Sequence, residues 1–375
     1  MTQSLSCNLK GQQKFILLHQ RRAFSCCRGF PVELDLGVTY QTMSQHWDHE
    51  HQQLEQNIAV PSCEMCWRDE KNNRNSYRMI MGQQPKHLNI NLSFSNACNH
   101  MCAYCSPAFS TTWQNSIETQ GNFVGISRSA QTNLIPISVP SLDVDNWLAQ
   151  IEQDIDAQPD NSVELVLTGG EPLMQKDSIK KVLEFNSSKI KKITITTNLS
   201  PPDNKFLQWI LAHFPQDKLR FDISLDATPE FNHVPRAGFE QDKFSKNLVL
   251  LQSNNMTFTF FAVCSVLNFF DLPNYYKWIE DQGFVLKHHR LNNPDCLDPI
   301  WIPNQFTQPI LDQLSTTHTF LQALHAPRDT VDLKLREQYN YLTQYFARTG
   351  TKVSNTVFEP YWNWLKERYE NSTGV

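Results

Sequence analysis

The sequence predicts an α/β protein built on a parallel sheet. Three observations predict it. Six short segments between residues 87 and 290 read as strands, helix-period segments separate them, and the distinctive polar motifs fall just after strands.

His87–Phe94 alternates strictly between polar and apolar residues, the pattern of a two-faced strand. Leu142–Ala157 then carries helical periodicity. Strand-like Val163–Leu167 precedes a helix over Gln175–Glu184, and Lys192–Thr196 precedes one over Lys205–Phe214. Arg220–Leu225 is a fourth strand before a helix at Phe239–Ser253. Thr257–Val263 is a fifth before Leu272–Gln282, and Val285–Arg290 is the sixth. In such folds ligands gather at the C-terminal ends of the strands. Cys98, Cys102 and Cys105 follow strand one, Gly169-Gly170-Glu171-Pro172 strand two and Asn198 strand three. Asp226 ends strand four, and Asn268 lies beyond strand five. All of them are expected on one rim.

Alternation also sorts the faces. Leu88, Ile90, Leu92 and Phe94 share one face and Asn89, Asn91 and Ser93 the other; Asp222, Ser224 and Asp226 oppose Phe221, Ile223 and Leu225. A polar inner face suits a partial (β/α)6 barrel with a ligand-filled mouth. The core is expected over 83–296, between a cysteine-rich N-terminal module (1–82) and a C-terminal helical extension (297–375) with helices at Gln308–Leu324, Val331–Arg348 and Glu359–Tyr369. Gly121–Ser141 reads as a loop.

Hydrophobic residues at 40%, charged residues at 19% and a net charge of −5 describe a soluble globular chain, and nucleic acid is not the expected partner. No signal pattern and no membrane-length apolar run is found, so a cytoplasmic location is expected. Ten cysteines there point to metal or catalysis rather than disulfides, and eight lie in the first 105 residues.

Cys98, Cys102 and Cys105 are spaced C-x3-C-x2-C. Three such thiolates can hold three irons of a cubane cluster and leave the fourth iron open to a substrate. The alternative is zinc, with His100 as a fourth ligand. Taken with Gly169-Gly170-Glu171-Pro172 and Asn232-His233-Val234-Pro235-Arg236, the run resembles the radical S-adenosylmethionine superfamily over roughly residues 87–296. The resemblance implies a TIM-like barrel and a [4Fe–4S] cluster that chelates S-adenosylmethionine and cleaves it reductively. The resulting 5′-deoxyadenosyl radical abstracts hydrogen from a substrate. Tyr104 matches the usual aromatic before the third cysteine. The resemblance further implies that Gly169 and Gly170 approach the ligand and that Glu171 accepts from the methionine amine. Ser224 and Asp226 would contact the ribose or amino-acid part, Arg236 would bind the carboxylate, and Asn198 and Asn268 would lie near the nucleoside.

Cys63-Glu64-Met65-Cys66, followed by Trp67 and by Ser76-Tyr77-Arg78, resembles the end of a SPASM or twitch auxiliary-cluster module. That resemblance implies a second, closed [4Fe–4S] cluster held by Cys7, one of Cys26 or Cys27, Cys63 and Cys66. The usual glycine turn is missing between Cys7 and Cys26, and structural zinc is the alternative.

The expected function is that of a radical S-adenosylmethionine oxidoreductase or modifying enzyme, served by a reductant such as flavodoxin or ferredoxin. A peptide or protein substrate follows by analogy alone. The alternatives are a small-molecule or nucleotide-derived substrate, or a non-catalytic zinc-binding interaction protein. Asn89, Asn91, His288 and Arg290 are candidate barrel-lining residues. Cys264 and Cys296 are either thiol hydrogen donors or small buried residues.

Overall fold

The computed structural model describes residues 5–34, 37–81, 87–136, 142–185, 188–314 and 331–370. Its strands are β1 Gln13–Leu17, β2 Arg22–Phe24, β3 Val32–Glu33, β4 Leu88–Ser93, β5 Met101–Cys102, β6 Val163–Thr168, β7 Ile190–Thr197, β8 Leu219–Ser224, β9 Arg236–Ala237, β10 Thr257–Cys264 and β11 Leu286–Arg290. The six expected strands are β4, β6, β7, β8, β10 and β11. Helices lie between them at Val144–Asp156, Lys176–Leu183, Lys205–His213, Gln241–Ser253 and Leu272–Asp281. This is the α/β architecture with parallel strands that the alternation predicts.

The chain divides into two compact units. One comprises Met1–Asn96, Ser138–Thr196 and Phe206–Arg220; the other comprises Ala97–Ile137, Thr197–Lys205 and Phe221–Val375. In the first, β4 pairs in parallel with β6, and β6 with β7. Apolar Leu88, Ile90 and Leu92 of β4 are buried, while Asn89 and Asn91 are half-buried. Ser93, expected on the polar face, is also fully buried.

Strand β1 was not expected. It runs parallel to β4, pairing Leu17 with Ser93, and β2 and β3 continue antiparallel beyond it. Lys14 masks its pattern, because a charged residue sits beside Ile16 on the buried face. The Lys14 ammonium is satisfied there by Asp154 Oδ2 (2.7 Å), Ser44 Oγ (2.8 Å) and Tyr40 Oη (3.0 Å), which tie β1 to helices Tyr40–Glu55 and Val144–Asp156. A buried cation is tolerable only with such partners.

In the second unit, β10 pairs in parallel with β11, setting Ala262 opposite His288, and β5 and β9 form a separate antiparallel pair. The core of this unit is aromatic. Phe123 packs on Tyr341 (5.0 Å between centroids), Trp113 on Tyr345 (6.2 Å) and Phe270 on Tyr361 (5.3 Å). The long helix Val331–Thr349 and the final helix Glu359–Tyr369 supply the tyrosines. Two expectations change. The Gly121–Ser141 stretch contains a helix, Arg128–Asn133, because Ser127 Oγ caps it by accepting from the Ala130 amide. A helix covers Asn304–Leu311 rather than starting at Gln308; residues 315–330 lie outside the described part. Among the described residues no helix is long and apolar enough to cross a membrane.

Candidate active site

The loop carrying Cys98, Cys102 and Cys105 belongs to the second unit, where side chains take up its backbone carbonyls. Thr111 and Thr112 hydroxyls donate to the Cys98 carbonyl (3.1 and 2.8 Å), and Ser110 Oγ donates to that of His100 (2.6 Å). Trp113 Nε1 donates to the Cys102 carbonyl (2.8 Å). From helix Val331–Thr349, Tyr345 donates to Met101 O (2.8 Å) and Tyr341 to Ala103 O (2.7 Å). Ser110 also caps helix Thr111–Gln120, which fixes Trp113. Cys102 is buried; Cys98 and Cys105 are half-buried.

Arg236 lies opposite Cys102 in the β5–β9 pair. Its Nε donates to Asp226 Oδ2 (2.7 Å), one terminal nitrogen donates to Tyr104 Oη (2.6 Å), and the other lies 3.6 Å from Cys102 Sγ. Tyr104 in turn donates to Asp226 Oδ2 (2.6 Å). Burial alone would lower the Arg236 pKa, but the Asp226 charge holds it well above its usual value. Burial pushes the Cys102 thiol up to about 12 against the opposing pull of Arg236, and it raises Cys105 as well. Three of the expected residues therefore form one hydrogen-bonded cluster, which Arg236 brings up to the Cys102 thiol.

Several expected ligand contacts are engaged within the fold. Asp226 is fully buried, and besides Arg236 and Tyr104 its carboxylate accepts from the Val263 amide (2.8 Å). Asn268 is fully buried too. Its amide nitrogen donates to the carbonyls of Asp226 and Val263, and its Oδ1 accepts from the amide and hydroxyl of Ser265. Asn198 donates to Asn99 Oδ1 (3.1 Å) inside the three-cysteine loop and accepts from the Ser200 amide. Ser224 is half-buried at the end of β8.

In the first unit, the Gly-Gly-Glu turn follows β6. Gly169 has φ +117°, and a Cβ there would collide with Ser93 Oγ, so glycine is required on both counts. The Gly170 amide donates to Ser95 O (3.0 Å), and buried Glu171 accepts from the Leu173 amide (3.0 Å). His19, which sequence reasoning missed, brings Nδ1 to 3.3 Å from Ser93 Oγ. Recognising β1 would have placed His19 beyond its C-terminal end.

The N-terminal cysteines also lie in the first unit. Cys7, Cys26, Cys63 and Cys66 line one cavity together with Lys10 and Arg78. Cys27 is exposed and does not line it. Burial raises the Cys7 thiol and pushes Cys63 up to about 11. Among the described residues no group of three or more His, Cys, Asp or Glu side chains is set to hold a single metal ion. The donor set around the cavity, four thiols and buried cations, fits an anionic iron–sulfur group.

Cys264 and Cys296 are buried, and burial raises both thiols. That is the character of small core residues. His288 is half-buried and His289 exposed. His100 is buried beside Phe239 with its pKa lowered to about 3, first by burial and then by Arg236, so its ring is neutral.

The chain thus joins a parallel α/β architecture to a braced loop that carries three cysteines. Residues 92–265 match the Radical SAM superfamily model. It is 26% identical over 229 residues to a GTP 3′,8-cyclase of Vibrio atlanticus (strain LGP32), a match covering 56% of each protein. Among solved structures it is similar to native anSMEcpe with bound AdoMet (14% identity, TM-score 0.39, 69% of this chain and 59% of the other). It is also similar to Streptococcus suis SuiB bound to S-adenosylmethionine (15% identity, TM-score 0.38, 82% and 59%). The chain spans less than two thirds of the length of each of these relatives.

Proposed function

We propose that the chain is a radical S-adenosylmethionine enzyme whose Cys98, Cys102 and Cys105 hold a [4Fe–4S] cluster. The observation that carries this is the setting of the thiols. The His100 amide donates to Cys98 Sγ (3.4 Å), Arg236 faces Cys102 Sγ (3.6 Å), and the surrounding carbonyls are engaged by other donors. Donors directed at sulfur favour thiolate over thiol and tune a cluster bound there. When bound, such a cluster supplies the electron that cleaves S-adenosylmethionine to a 5′-deoxyadenosyl radical, which takes hydrogen from the substrate.

The chain's own residues position and protect that chemistry. Tyr104, Asp226 and Arg236 fix the second cysteine. The Gly169-Gly170-Glu171 turn offers close backbone approach and a carboxylate to an ammonium group. Asn198 anchors the loop through Asn99, and a low-potential flavodoxin or ferredoxin delivers the electron. Cys7, Cys26, Cys63 and Cys66 hold a second cluster, closed by four thiolates and therefore a relay rather than a substrate site. A peptide is the first substrate class to test, with small molecules second.

The decisive experiment is anaerobic reconstitution followed by iron analysis and 5′-deoxyadenosine assay with dithionite. About eight irons per chain are expected for two cubanes. Cys102→Ala should abolish 5′-deoxyadenosine formation. Zinc without iron would identify a metal-binding interaction protein instead, and unchanged turnover in Cys102→Ala would refute the cluster assignment.

A further inference from the structure

The N-terminal cavity holds two buried cations among its thiols. Lys10 is 2% exposed and Arg78 4%. Each is backed by a carboxylate that does not line the cavity. Lys10 Nζ pairs with Glu50 Oε2 (2.6 Å) and donates to Ser62 Oγ (2.6 Å), which donates on to Glu50 Oε1 (2.6 Å). Arg78 makes a two-pronged pair with Glu70, Nε to Oε1 at 3.1 Å and a terminal nitrogen to Oε2 at 2.7 Å. Its guanidinium lies 5.0 Å from the Trp67 ring centre.

The polarity has one sense at both sites, with cations lining the thiol cavity and carboxylates set back from it. Burying two ion pairs is costly, and a cavity of neutral thiols gains nothing from facing their positive ends. An anionic occupant does. A four-thiolate cubane is anionic, and one added electron deepens its charge by one without making or breaking a bond. A nearby buried cation favours that added electron, and a carboxylate behind it trims the effect.

We propose that Lys10 and Arg78 raise the reduction potential of a cluster held by Cys7, Cys26, Cys63 and Cys66, and that Glu50 and Glu70 moderate them. This rests on the auxiliary-cluster reading above. It makes the N-terminal centre an electron acceptor whose potential is tuned by two buried, replaceable charge pairs.

The test uses the full-length chain with Cys98→Ala, Cys102→Ala and Cys105→Ala, so that only the N-terminal centre can load. After anaerobic reconstitution with iron and sulfide, metal content is measured and the potential is followed by redox titration with EPR detection. About four irons per chain are expected; no iron, or zinc, overturns the auxiliary-cluster reading and this inference with it. Within the iron-loaded background, Glu50→Gln and Glu70→Gln should each shift the potential upward. Adding Lys10→Met to the first and Arg78→Gln to the second should shift it back down. The paired variants leave no lone buried charge, so folding is preserved. Iron-loaded variants that all titrate with the parent overturn the inference and leave the auxiliary-cluster reading standing.

Discussion

Replacing Arg236 by Met removes the cation from a buried pair and leaves its partner in place. Asp226 has 0% side-chain exposure, and two of its contacts come from Arg236, at 2.7 and 3.4 Å. What remains for the carboxylate is the Tyr104 hydroxyl at 2.6 Å and the Val263 amide at 2.8 Å. Stranding one member of a buried pair costs roughly 3–5 kcal/mol. Two surviving donors place Arg236→Met at the lower end, about 3 kcal/mol. For a domain of this size that is a fall of roughly 6–12 °C in melting temperature. The assay is thermal unfolding of the iron-free chain by circular dichroism under reducing conditions. Arg236→Met/Asp226→Asn should recover at least half of the loss, because no charge is left unpaired. A single variant within about 2 °C of the parent would refute the reasoning. So would a double variant no more stable than the single, because the loss would then come from packing alone.

Three further outcomes follow from the geometry. Tyr341→Phe and Tyr345→Phe each free a buried carbonyl of the cluster loop, so each should cost about 1–2 kcal/mol and speed the loss of iron from the triad in air; equal bleaching rates would show that the helix does not hold the loop. Gly169→Ala meets Ser93 Oγ at a φ that disfavours side chains, so 5′-deoxyadenosine formation should fall at least about tenfold with triad iron retained, and Ser93→Ala should restore part of it. In reduced, iron-free protein at pH 7, iodoacetamide should label Cys27 before Cys63, by about a hundredfold or more, read by mass spectrometry. The Cys26 hydrogen bond lowers the Cys27 thiol to about 6, so it is already thiolate. Burial pushes Cys63 up to about 11, so its labelling should accelerate only as pH climbs toward that value. Equal labelling at pH 7 would contradict the assigned burial.

What was legible in the sequence was whatever a local pattern encodes. Six strands could be read because buried parallel strands show period-2 or continuous apolar runs. Strand β1 could not be read, since Lys14 breaks its pattern and is accommodated by Asp154, 140 positions away. Polar residues after the strands were legible as candidate site residues, but not what each does there. Asp226 and Asn268 look like ligand contacts in sequence, yet both are buried and engaged in tying β8 to the turn after β10. The Cys26–Cys27 ambiguity is a matter of turn geometry: the Gly29 amide donates to Cys26 O at 2.9 Å, Cys26 lines the cavity and Cys27 is exposed. Tyr341 and Tyr345 are buried core aromatics. Their hydroxyls have a second use, hinted at only by tyrosine recurring at i and i+4 on one helix face.

The hydroxyl pair bears on how a short loop could present three thiols to an anionic group. Backbone carbonyls directed at such a group would repel it, whereas amides and cations attract it. In this chain the carbonyls of Cys98, His100, Met101, Cys102 and Ala103 all accept from side chains of the loop's own helix or of the C-terminal helix. With those carbonyls bonded elsewhere, the His100 amide and the Arg236 guanidinium are among the donors that meet sulfur. Helix Val331–Thr349 therefore braces the three-cysteine loop although it supplies none of the cysteines. Its two tyrosines set the loop's polarity by holding carbonyl dipoles, while Arg236 supplies charge. Loss of Tyr345 should chiefly speed iron loss from the triad, and loss of Arg236, which removes a full charge beside Cys102, should chiefly shift its potential. Iron retention and cluster potential, measured on the same two variants, should consequently separate.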